Sequence, residues 1–156
     1  VHIAFMDSFL RSHQLYSKAP IPGGADEYVR LWAKSVKTLG LTRVPTSEKE
    51  LIAVMREYSS VLHCDEKALS VIRWINNAPL PKTAKPIYAL LFQAALASLP
   101  QEIQDKLGLK HLPLWILRPL VTNLLAFLRF AIGPDSPIEE AALVRLRRLG
   151  VISNIQ

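Results

Sequence analysis

Four histidines, one cysteine, and scattered acids and arginines are the groups in this 156-residue chain that could do chemistry. His63 and Cys64 are adjacent and are the residue types of a base and a nucleophile. Neighbouring helical residues point about 100° apart, so the two side chains would not face each other. His2 and His13 are eleven residues apart and share a helix face. At 1.5 Å per residue they stand about 16 Å apart along the axis, too far to bind one metal ion together. No His-Glu-x-x-His or Cys-x-x-Cys occurs, nor a Gly-x-Ser-x-Gly elbow or a phosphate loop. No metal site is therefore expected, and no catalytic residue is assigned from the residues alone.

His2 remains as the position that could face a cofactor pocket. His2 lies beside Ile3 and Phe5. It is either a hydrogen-bonded core histidine or a polar group facing a pocket, where an imidazole can donate, shuttle a proton or ligate. Asp7 sits among Phe5, Met6 and Phe9. A carboxylate there must reach solvent or pair with an arginine from another helix, because an unpaired buried charge is costly. Arg118 and Arg129 are eleven residues apart, about three helical turns, and form a polar stripe on one side of an apolar helix.

Helices must position these groups. Apolar residues recur at helical spacing from Val1 to Tyr16 and again from about Ala25 to Leu39, before the Gly40 stop. Ser47 with Glu50 makes a capping box that opens a helix to about Leu62. Further helices are expected over about Asp65–Asn77 and Thr83–Ser98, and from Pro100 to a stop at Gly108. The most apolar segment is Leu114–Ile132, and Ser136-Pro137 with Glu139 opens a last helix closed by Gly150. Nothing alternates with period two over a useful length. The expected fold is one all-α, multi-helix globular bundle spanning residues 1–156. Eleven prolines against six glycines make its helices short and sharply stopped.

A net charge of +6 raises the question of an anionic partner. No run of five or more cations occurs, and phosphate contacts need several on one face, so nucleic acid is not an expected partner. The single cysteine excludes an internal disulfide and fits a reducing compartment. No basic stretch precedes an apolar run at the start, so a cytoplasmic location is expected. Arg118, Pro119 and Arg129 interrupt Leu114–Ile132. That segment reads as an amphipathic helix packed on a core or partner, with peripheral membrane contact as the alternative.

Several short stretches, in order, resemble one family. Val-His-Ile-Ala-Phe-Met-Asp-Ser-Phe-Leu at positions 1–10, followed by Tyr16, is similar to the Trp-Val-His-x-x-x-x-Asp-Ser helix of the MpaB/rubber-oxygenase domain, which occurs in latex-clearing proteins and many bacterial proteins. Ala25-Asp-Glu-Tyr-Val-Arg-Leu-Trp-Ala resembles the family's next helix, and Leu39-Gly-Leu with Val44-Pro the turn after it. Ala78-Pro-Leu-Pro through Tyr88, Leu99-Pro and Leu107-Gly-Leu also fall in family order. The resemblance implies an all-helical scaffold that binds haem b and uses it with dioxygen on an apolar substrate. It also implies an axial histidine upstream of this chain, in a His-x-x-Val-x-Gly-like segment. His2 is then a motif residue near the pocket, and Arg118 and Arg129 are candidate partners for haem propionates.

The expectation is thus the C-terminal part of a haem-dependent oxygenase-like domain, inactive alone. The N-terminal part of the same protein, or a second copy, would cover its apolar side. The rival expectation is a non-catalytic helical interaction module.

Overall fold

The computed structural model describes residues 2–36, 40, 43–133 and 137–150. Among them are eight helices and no strand: α1 (His2–Tyr16), α2 (Gly24–Val36), α3 (Glu48–Ser59), α4 (Glu66–Asn76), α5 (Lys85–Ser98), α6 (Gln101–Leu107), α7 (Leu114–Ile132) and α8 (Pro137–Arg148). The all-α expectation holds. The chain forms two compact units, residues 1–122 and 123–156, with the division falling inside α7.

α1 organises the first unit. Met6 and Leu10 project from it onto Val29 of α2 and Leu51 of α3, with Ile3, Tyr28, Trp32, Val44 and Met55 around them. One turn past Leu10 the helix changes neighbours. Tyr16 packs with Ala94 of α5 and Val121 of α7, flanked by Leu15, Leu90 and Leu114. The Tyr16 hydroxyl donates to the carbonyl of Ala94 at 2.8 Å, and Thr122 Oγ1 donates to the carbonyl of Tyr16 at 2.9 Å. α1 therefore carries two clusters, centred about 12 Å apart along its axis.

Local signals account for several helix ends. Ser47 Oγ accepts from the Glu50 amide at 3.3 Å, as its cap should. The reciprocal bond is displaced by one residue: the Glu50 carboxylate accepts from the Thr46 amide at 2.8 Å. α3 stops at Ser59, short of the expected Leu62. There Ser59 and Ser60 hydroxyls donate back to the carbonyls of Arg56 and Glu57 and draw off the acceptors the next turn needs. Asp65 caps α4 through the Ala68 amide at 2.8 Å. Gly108 ends α6 in the left-handed conformation at φ 60°, and its amide donates to the carbonyl of Gln104. The expected box at Ser136, the expected end of α2 near Leu39 and the first residue Val1 lie outside the described residues.

α7 is continuous through Pro119. A proline inside a helix removes one backbone bond. Here the carbonyl that loses its donor belongs to Trp115, and both residues are exposed, so water can serve it. The helix is long and apolar enough to cross a membrane by length and composition, and only 11% of its apolar stretch Leu114–Ala131 is buried.

Candidate functional site

The N-terminal turns of α1 face α2 across a cluster of rings. The imidazole of His2 lies 4.9 Å from the indole of Trp32, centroid to centroid, tilted by 56°. Trp32 also contacts Phe9 at 5.9 Å and Tyr28 at 6.0 Å. Phe5 and Phe9, one turn apart on α1, stack at 6.0 Å with their planes 14° from parallel. The sequence explains the gathering. His2, Phe5 and Phe9 follow the i, i+3, i+7 spacing of one helix face, and Tyr28 and Trp32 follow i, i+4 on the next.

This face is open on one side and sealed on the other. Phe5 and Phe9 remain 53% and 55% exposed, whereas Met6, Leu10 and Val29 beneath are buried. Two polar atoms are sealed within the half-buried layer without hydrogen-bond partners: His2 Nε2 and the Tyr28 hydroxyl. Of the two alternatives for His2, a core histidine hydrogen-bonded through Nε2 is not found among the described residues. Buried polar atoms are almost always paired, so an orphaned imidazole nitrogen beside bare aromatic surface calls for an explanation. The Tyr28 phenol is pushed above its ordinary value by burial, partly offset by the adjacent Trp32 side chain, although no hydrogen bond of normal geometry joins the two.

Asp7 is buried, with 7% of its surface exposed. Its ion-pair partner is Arg11 of its own helix rather than an arginine from another, with Nε 4.0 Å from Oδ1. Burial raises the carboxyl above its ordinary value, and the charge of Arg11 recovers part of the shift. The guanidinium of Arg11 turns to the other end of α1, where it donates to the carbonyl of Ser98 at 3.3 Å. There it lines an open cleft of about 230 Å³ with Gln14, Leu15, Leu99 and Leu114. Ligand pockets usually measure roughly 300–1,000 Å³, so this cleft is too small for a porphyrin.

The other sequence candidates lie elsewhere. His13 Nε2 donates to the carbonyl of Ala19 at 2.8 Å and fastens the loop after α1. His111 is held by Gln104 at 2.7 Å. His63 is exposed in the turn after α3, and Cys64 beside it is a free thiol. Arg118 and Arg129 are exposed on α7, and neither forms an ion pair among the described residues. α7 meets the Tyr16 end of α1, so the structure does not bring Arg118 to the His2 cluster. No group of three or more His, Cys, Asp or Glu side chains is placed to hold a metal among the described residues. The sequence reading missed Tyr28 and Trp32 as companions of His2. Their spacing on α2 was visible, but nothing in it says which helix they meet.

A search of curated proteins and of solved structures gives no match. Residues 1–132 match the family described as ER-bound oxygenase mpaB/B'/rubber oxygenase, catalytic domain. That span contains α1 through α7 and the whole His2 cluster, and the chain therefore belongs to the mpaB/rubber oxygenase catalytic-domain family.

Proposed function

We propose that this chain contributes to a haem b-dependent oxygenase site acting on an apolar substrate, with the aromatic face of α1 and α2 as one wall of that site. The observation that carries the reading is the buried, unpartnered Nε2 of His2 against Trp32. The residues present suit such a group. A flat apolar ring stacks well on exposed aromatic side chains, and a sealed imidazole nitrogen gains a partner when a metal or polar atom arrives. His2 would flank the group, its Nε2 and the Tyr28 hydroxyl being the polar atoms that would gain partners there, while the axial ligand would come from the upstream histidine that the resemblance implies. When bound, haem b supplies the activation of dioxygen for oxidation of the substrate.

The chain's own side chains do the rest. Phe5, Phe9 and Trp32 offer apolar surface to a hydrocarbon-like substrate and keep water off it. The Tyr28 phenol, pushed above its ordinary value by burial, is a protonated donor at neutral pH as any tyrosine is. Asp7 pairs with Arg11 along α1. Arg118 and Arg129 are not needed for this reading. The open side of the face would be closed by further helices of the same protein or by a second copy, which would also shield Phe5 and Phe9.

Titrating haemin into the chain and following the Soret band tests the proposal. The wild-type chain is expected to shift the band with modest affinity, since one wall alone is present. His2→Ala is expected to weaken the shift about tenfold or more. Equal responses from the two proteins would overturn the assignment of His2. The rival, a non-catalytic interaction module, draws on the same exposed phenylalanines. It would be favoured by a chain with no Soret response that self-associates through them.

A further inference from the structure

The second compact unit, residues 123–156, combines the last turns of α7 with α8. Several of its large apolar side chains are not covered among the described residues. Phe127 is 64% and Phe130 is 86% exposed, and Leu149 is 65% exposed. On α8 the apolar residues are ordered. Leu143 and Leu146 recur at three-residue spacing, and Leu149 continues the spacing just past the helix. Arg145 and Arg147, the immediate neighbours of Leu146, fall about 100° to either side of it. Arg148 completes three arginines in the last turn of α8. The acids of this unit, Asp135, Glu139 and Glu140, all precede residue 141, so the C-terminal half of α8 is purely cationic.

A helix dipole explains why cations gather in a last turn. It does not explain leucines set between arginines and left partly bare. That arrangement fits an interface with an apolar interior and an anionic rim, where leucine enters the acyl region while arginine stems run along it to reach phosphate. We infer that α8, together with Phe127 and Phe130, is a docking surface for the anionic headgroup layer of a membrane. A second copy of the chain suits it poorly. A two-fold contact centred on Leu146 would bring Arg145 and Arg147 of one molecule against the same arginines of the other, so a second copy does not fit the leucine face in that register. This inference is independent of the oxygenase reading, because it involves neither His2 nor haem.

Vesicle flotation of the 156-residue chain tests it, with phosphatidylcholine alone and with about a third phosphatidylserine. Binding to the anionic vesicles is expected, with little to the neutral ones, and about 0.5 M salt is expected to release it by screening. Each arginine near an anionic surface contributes about fivefold in partitioning, so Arg145→Gln/Arg147→Gln/Arg148→Gln should weaken binding roughly a hundredfold. Phe127→Ser/Phe130→Ser should also reduce it. These positions are exposed, and circular dichroism will confirm that the helices persist in both variants. The salt comparison needs no variant at all. Equal flotation with both vesicle types, flotation with neither, or salt-resistant binding would overturn the inference. So would a stable dimer in light scattering that Phe127→Ser/Phe130→Ser dissociates. A negative haemin titration would leave the flotation result standing, and the reverse also holds.

Discussion

Asp7 shows how one side chain can act against the fold while serving its arrangement. Its carboxyl is buried, and Arg11 at 4.0 Å is too distant and too exposed to offset the desolvation fully. The folded chain therefore prefers the protonated acid more than the unfolded chain does. Stability from this group is present below the ordinary value of 3.8 and is lost as pH rises through the raised folded value. Asp7→Asn is accordingly expected to raise Tm at neutral pH, and the gain should vanish when both proteins are melted in acid below the ordinary carboxylate range. If Asp7→Asn melts lower than wild type at neutral pH, the Arg11 pair outweighs burial. His2 is the complementary case. Its Nε2 lacks a partner within the chain, so its cost is recovered only if something outside the described residues meets it.

At the scale of elements, the caps do what their residues allow. Ser47 closes one donor of α3, and Asp26 of α2 closes another by accepting from the Glu48 amide at 2.8 Å. The start of α3 is thus tied both to its own cap and to a neighbouring helix. Ser47→Ala should cost about 1 kcal/mol, read as a lower urea midpoint with an unchanged slope. A change well under half of that would mean that Asp26 and Glu50 hold the end without the serine. α4 is the contrasting element. It has a good aspartate cap and no buried residue, so its stability rests on the cap, the Arg73–Glu66 pair and the Tyr88 hydroxyl donating to the carbonyl of Ile75.

For the whole molecule, the balance of covered and bare apolar surface decides behaviour in solution. The first unit has well-buried clusters at both ends of α1, yet leaves Phe5 and Phe9 open beside Trp32. Exposed apolar patches of this kind mark sites of association. Burying one such side chain contributes about 1.5–3 kcal/mol, and micromolar association needs about 8 kcal/mol. Several rings acting together reach that range. The chain is expected to bind a hydrophobic dye and to self-associate as concentration rises, with Phe5→Ser/Phe9→Ser reducing both. A dye-silent monomer would show that the aromatic face is too small to act as an interface.

Much of this protein was legible from its residues. Period-3.6 patterning, the serine and aspartate caps, and the glycine stop at 108 are local signals, readable without neighbours, and they located the helices to within a few residues. The family resemblance was legible for the same reason, since it rests on short ordered segments. The site was legible only in part. His2 stood out because a polar ring in an apolar helix needs an explanation, but its companions Tyr28 and Trp32 come from a helix more than twenty residues away. The sequence offered Asp7 either solvent or an arginine from another helix, and packing chose Arg11 on the same one. Arg118 and His2 looked like parts of one site until α1 was seen to hold different partners at its two ends. Helix–helix contact depends on which faces meet across long sequence separations. One-dimensional periodicity says that a face is apolar, and only the packed chain decides what lies against it.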